Sequence, residues 1–258
     1  MNIGVKGMET ISLRFCFEED IGTRSHAENF LELLNQFEVQ LSRVGFFEPV
    51  KQSFTKEIFK EMWIEGLEDT YSFIGRLEKR KSYMNIYPRG GLPGSAGFHF
   101  AISKQQFQLE QTKWTDLFRF VCETWRPYRA SIELDLDRDV FVDTDQLLNE
   151  TMFWTHERDD FWFLKVREVS WINYWSHALL EHGHIETVEA FDWVAVDFGA
   201  DGAYFQLTEA FDDLYFVARR EAARTHIGPG VLLKKVIDED LMLEAERLRS
   251  TDFSLDDI

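Results

Sequence analysis

The sequence predicts an α+β fold, built as a mixed or antiparallel sheet with flanking amphipathic helices. Three observations predict it. Several short segments alternate apolar and polar residues, as half-buried strands do. Longer segments repeat apolar residues at helical spacing. Two apolar runs, FDWVAVDF and AYFQLTEAF, flank the turn GADG and so read as a β-hairpin.

In chain order, TISLRFCF (10–17) is the first strand, with Ile11, Leu13 and Phe15 on one face. Ser25 and Glu28 have the spacing of a capping box. Ala27, Phe30, Leu31, Leu34, Phe37, Leu41 and Val44 follow at helical spacing, so a helix is expected over 25–44. Residues 54–80 read as mostly helical, with Gly66 as an interruption. YMNIYP (83–88) and GFHFAIS after the Gly-rich loop 89–97 read as strands. Trp114, Leu117, Phe118, Val121 and Trp125 mark a second amphipathic helix, which Pro127 ends. ASIELDLD (130–137) alternates cleanly. A helix is expected over 144–156, a strand over 161–169 and a final helix over 238–250. SWINYWSHALLEHGH (170–184) reads as an irregular segment or strand end that becomes a helix near 174–182.

The chain has 258 residues, 45% apolar and 29% charged, with 24 Phe and 8 Trp. That supply suits one domain with a large core, expected over 1–250, with an acidic tail at 251–258. No repeat and no Pro/Gly/Ser-rich linker divides it. Two cysteines, Cys16 and Cys122, sit in apolar runs and imply no disulfide framework, so a cytoplasmic, reducing location is expected. The N-terminus lacks a signal-peptide core, and no stretch of about 18 apolar residues predicts a membrane span.

The formal net charge is −18. Residues 1–129 carry 17 basic and 17 acidic residues, and residues 130–258 carry 11 and 29, so the whole excess lies in the second half. Such a field repels nucleic acid and anionic membrane and attracts basic partners.

Residues 170–184 hold three histidines and invite a metal reading. His177 and His182 are five apart, about 140° round a helix, so they do not share a face. His182-Gly183-His184 fits a helix end instead, with Gly183 at the left-handed position. The loop RGGLPGSAG lacks the spacing of a phosphate cradle. An EF-hand starting at Asp135 fails, because Val140 and Gln146 stand where Gly and Glu are required. No cofactor or metal is therefore expected. Strand geometry explains the acidic run better. Glu133, Asp135 and Asp137 project from one face about 7 Å apart, with Asp139 continuing the series. Asp143 and Asp145 follow. This row is either a solvated face or a docking face for a basic protein, with Asp159, Asp160 and Trp162 as extensions.

The N-terminal strand, the HAENFLELL of the first helix and the W-x-N-Y segment (Trp171, Asn173, Tyr174) in an aromatic-rich second half resemble the immunity protein 52 family of polymorphic toxin and type VI secretion systems. The resemblance implies a non-catalytic inhibitor that binds a cognate toxin in the cytoplasm. It further implies a toxin of a restriction-endonuclease-like nuclease class, whose basic cleft an acidic face complements. Two other readings stand beside it: a cation-dependent hydrolase using His177 or His182, and a DNA mimic that occupies a host DNA-binding protein.

Overall fold

A computed structural model describes residues 10–65, 72–78, 82–89, 96–134, 140–142, 169–182, 185–211, 216–228 and 234–236. Its centre is a ten-stranded sheet in which every neighbouring pair is antiparallel. The α+β class predicted from periodicity is the class observed.

The first strand, β1 (Thr10–Phe17), lies near the middle of the sheet. Ile11, Leu13, Phe15 and Phe17 are buried on one face, as their alternation requires. Helix α1 (Arg24–Gln36) follows, and the Thr23 side chain caps its N-terminus by accepting the His26 N–H. The expected helix over 25–44 is too long. Glu38 takes a left-handed φ of 50°, the Glu38 N–H donates to Asn35 O at 3.1 Å, and the Val39 N–H donates to Leu34 O at 2.7 Å. This is a Schellman ending without glycine, sealed by buried Leu34 and Val39. Leu41 and Val44, which matched the helical period, lie instead in β2 (Leu41–Gly45). A two-residue edge strand, β3 (Gln52–Ser53), pairs with it.

The expected helix over 54–80 is also shorter. Helix α2 (Lys56–Glu65) starts where Thr55 Oγ1 accepts the Ile58 N–H, at 3.2 Å. Residues 73–77 form β4 (Phe73–Leu77), with Phe73, Gly75 and Leu77 turned to the core. Strands β5 (Tyr83–Tyr87) and β6 (Ala96–Ser103) pair antiparallel, so the Gly-rich loop between them is a strand connection. A short α3 (Lys104–Leu109), unanticipated from sequence, leads into α4 (Gln111–Trp125). Helix α4 stops at Arg126, in a left-handed conformation before Pro127.

Strand β7 (Arg129–Leu134) pairs with β1, and β8 (Val140–Val142) forms a separate two-stranded sheet with β12 (Lys234–Val236). Residues 170–184 divide differently from expectation. β9 (Ile172–Ser176) runs through Tyr174 and Trp175, and α5 occupies only His177–His182. Pairing on both sides, with β7 and with β11, holds this segment extended. Then come α6 (Ile185–Glu189), the predicted hairpin of β10 (Ala195–Phe198) and β11 (Gly202–Gln206), and α7 (Phe216–Ile227), which the periodicity did not reveal. The expected helices over 144–156 and 238–250, all but Val169 of the strand expected over 161–169, Gly183 and the tail 251–258 lie outside the described residues.

The sheet carries apolar layers on both faces. Helices α1, α2 and α4 cover one. There the Phe30 ring meets Phe59, Trp63, Phe98, Phe100 and Trp125 at centroid distances of 4.8–6.3 Å. On the opposite face, over β9 and β11, Leu179, Leu180, Val188, Ala223 and Ile227 of α5, α6 and α7 pack with Trp175 and Phe205. Among the described residues, no helix is long and apolar enough to cross a membrane.

Candidate functional site

Of the acidic positions singled out in the sequence, Glu133 alone lies within the described residues. Asp135, Asp137, Asp139, Asp143, Asp145, Asp159, Asp160 and Trp162 lie outside them. Glu133 is on β7 and faces away from the main helical layer, as its alternation with Ile132 demands. At this position the acidic row has a basic neighbour within the chain. Glu133 is paired with Ser12 in register, and Arg14 reaches across from β1, with Nε 2.9 Å from Glu133 Oε1. The Ser170 hydroxyl donates to its other oxygen at 3.0 Å. The strand pattern of residues 130–137 could not show this partner, because it comes from a strand more than a hundred residues earlier.

This polar sheet face continues through a second pair. Ser12 Oγ and His99 Nε2 share a hydrogen bond of 2.9 Å on adjacent strands. Burial, with help from the Arg14 guanidinium, lowers the His99 pKa from 6.5 to about 3. His99 is therefore neutral in the folded chain at physiological pH. As pH falls from about 6.5 toward about 3, the unfolded chain takes up a proton that folded His99 refuses, so stability falls across that window. Between pH 7 and pH 5 this contribution amounts to roughly 1–2 kcal/mol. His99→Gln is expected to flatten the loss. Denaturant midpoints at the two pH values, compared between wild type and variant, check this, and identical pH slopes would exclude the assignment.

At the other end of the sheet, α4 and the β10–β11 hairpin enclose a cleft of ≈ 520 Å³. Its lining includes Arg119 and Glu123 from α4, Tyr174 from β9, Tyr204 from β11, and Asp197 and Asp201 from the hairpin. The Arg119 guanidinium lies over the Tyr204 ring, 4.4 Å from its centroid. Arg126 Nε sits 3.2 Å from Asp201 Oδ2. Gly202 makes the close approach of β9 and the hairpin possible: a Cβ there would lie 2.8 Å from the Tyr174 hydroxyl and closer still to the Trp175 carbonyl oxygen. Burial pushes the Tyr174 pKa up to about 12 and raises that of Tyr204. Both phenols stay protonated at neutral pH and present hydroxyls rather than charge. Burial also raises the Cys122 thiol well above its usual range, so this cysteine is no ready nucleophile.

Sequence reading missed this cleft as a site. It named Tyr174 for its place in W-x-N-Y and read GADG as a hairpin turn, but α4 had no visible reason to lie beside either. The W-x-N-Y residues themselves are architectural. Trp171 and Asn173 are fully buried, and the Asn173 amide donates to Ser170 O at 2.8 Å while its Oδ1 accepts the Ser170 N–H at 2.9 Å. His177 Nε2 lies 3.2 Å from Gly199 O, tying α5 to the same hairpin. Among the described residues, no three His, Cys, Asp or Glu side chains are grouped to hold a metal ion.

No family model matches the chain, and no curated protein matches it. The likeness to the immunity protein 52 family therefore rests on the residues quoted for it. Among solved structures, a Pseudomonas aeruginosa T6SS protein, PA0821, is similar over 92% of this chain and 81% of its own, with a TM-score of 0.56 and 16% sequence identity. At that identity the similarity is one of fold: the chain shares its architecture with a type VI secretion system protein.

Proposed function

We propose that the chain is an immunity protein, a non-catalytic inhibitor that binds and neutralises a cognate toxin of a type VI secretion system in the cytoplasm. The toxin class we propose is a nuclease. The observation that carries the reading is the charge division: the entire excess of −18 belongs to residues 130–258. A nuclease holds its phosphodiester substrate in a basic cleft, and an acidic protein surface complements that cleft and speeds association with it. The fold shared with a T6SS protein supports the secretion-system context. The acidic positions Asp135, Asp137, Asp139, Asp143, Asp145, Asp159 and Asp160, with Trp162, remain the proposed contacts, and no cofactor is required.

The experiment expresses the product of the neighbouring gene in a laboratory host with and without this chain. Growth arrest by the neighbour and relief by the chain are expected. With the purified pair, Asp135→Lys with Asp137→Lys is expected to slow association and to flatten its dependence on salt. Association rates that stay unchanged across salt in wild type and variant would remove acidic docking. Tight stoichiometric metal in the purified chain, with a melting temperature that drops in chelator, would favour the hydrolase instead.

A further inference from the structure

We propose that the cleft between α4 and the β10–β11 hairpin receives an arginine side chain of the partner toxin. The identity of the guest rests on the inhibitor reading above, and its chemistry rests on the cleft. A volume of ≈ 520 Å³ admits a side chain with some of its backbone. The floor is made of two tyrosines, and the protein itself shows what one of them takes: the Arg119 guanidinium already lies on the Tyr204 ring. Tyr174 adds a second phenol to the same lining, beside which a further planar cation can sit.

The walls favour the same guest. Glu123, Asp197 and Asp201 face two guanidinium groups, Arg119 and Arg126, and Asp201 is already engaged by Arg126. Asp197, exposed on the edge strand, forms no ion pair among the described residues. One carboxylate is thus left for an incoming cation, and an anionic guest would meet it as a like charge.

The test uses the full chain and defined probes. N-acetyl-arginine amide is titrated while the backbone amide NMR signals of Gly199, Ala200 and Gly202 are followed. N-acetyl-lysine amide, N-acetyl-glutamine amide and N-acetyl-glutamate amide serve as comparisons. Saturable shifts with the arginine probe are expected, weakened about tenfold in Glu123→Gln with Asp197→Asn. Both substituted residues are exposed, so the variant is expected to fold, and its amide spectrum verifies that. Equal or tighter binding of the glutamate or glutamine probe would overturn the proposal, as would an arginine probe that binds the variant unchanged. A preference for the lysine probe would overturn the guanidinium assignment.

The toxin then separates the two ideas. If the chain neutralises a toxin that binds Glu123→Gln with Asp197→Asn and the cleft-filling Ala200→Trp as tightly as wild type, the cleft placement is wrong and the inhibitor reading stands. If no neighbouring toxin is neutralised while the arginine probe still binds, the inhibitor reading is wrong and the cleft chemistry stands.

Discussion

Trp171→Ala is expected to destabilise the chain by about 3–5 kcal/mol, the range for removing a large aromatic side chain from a packed core. Trp171 is fully buried. Its ring stands edge-on to Phe107 at 6.0 Å and to Phe211 at 5.5 Å, so it joins α3 to the segment after β11. Its Nε1–H donates to Thr208 O at 2.8 Å, and its own carbonyl accepts the Leu207 N–H at 3.0 Å. Truncation removes the ring contacts, leaves a cavity, and takes one of two donors from the Thr208 carbonyl, which keeps the Gln206 amide. Against a total stability of about 5–15 kcal/mol, that loss decides how much folded protein remains. Trp171→Phe keeps a ring and loses only the indole N–H and some volume, so it should cost clearly less. Urea denaturation of the three proteins checks the order. A Trp171→Ala midpoint equal to wild type would show that the ring is not a structural anchor. Toxin neutralisation in this variant is expected to track its folded fraction, because a fully buried side chain does not touch a partner.

The same residue shows how the sequence conveys fold more readily than site. Alternation in residues 10–17, 83–87 and 129–134 named strands that exist, because each buries one face of a sheet and the period of two is local information. Helical spacing was less secure. Leu41 and Val44 are three apart, which suits a helix, but both also suit the bulged strand β2, whose register with β4 shifts between Leu41 and Arg43. The choice fell to Glu38, a residue with no side-chain signal for the left-handed turn it makes. Tyr174 and Trp175 fell within the helix expected near 174–182, because an apolar run of this length has no period of its own. Only pairing with β7 on one side and β11 on the other makes it a strand. Glu133 and the cleft were hidden for a related reason. Arg14 meets Glu133, and Arg119 meets Tyr204, across separations of more than eighty residues. Charge totals gave the sign of the surface, but the pairing that neutralises one carboxylate and leaves Asp197 open is tertiary.

Gly97→Ala is expected to be the most damaging single-methyl change in the sheet, by about 3 kcal/mol or more. In an ordinary strand the same substitution stabilises by about 0.4–1 kcal/mol, because alanine restricts the unfolded chain more than glycine does. The sign at Gly97 is set by what the methyl would meet. Gly97 stands opposite Cys16 where β6 pairs with β1, near the centre of the sheet. A Cβ there would lie well under 3.0 Å from the Phe15 carbonyl oxygen and 3.2 Å from its carbon. Both are backbone atoms, so no rotamer change relieves the clash. The strands must separate, and the pairing that carries Phe15 against Phe98 must move with them. Overpacking of a core costs about 1–3 kcal/mol when side chains can yield, and a backbone obstacle places this case at or beyond the upper end. Gly45→Ala is the matched control. It also lies in a strand, but its nearest neighbour would be Val50 Cγ1 at 3.5 Å, an ordinary contact. It is expected to be neutral or to stabilise slightly. Thermal and urea unfolding of both variants decide the matter. Equal stabilities for Gly97→Ala and Gly45→Ala would mean that β1 and β6 are not held as closely as their register requires. The Ser12–His99 pair across the same strands would then lose its geometric basis.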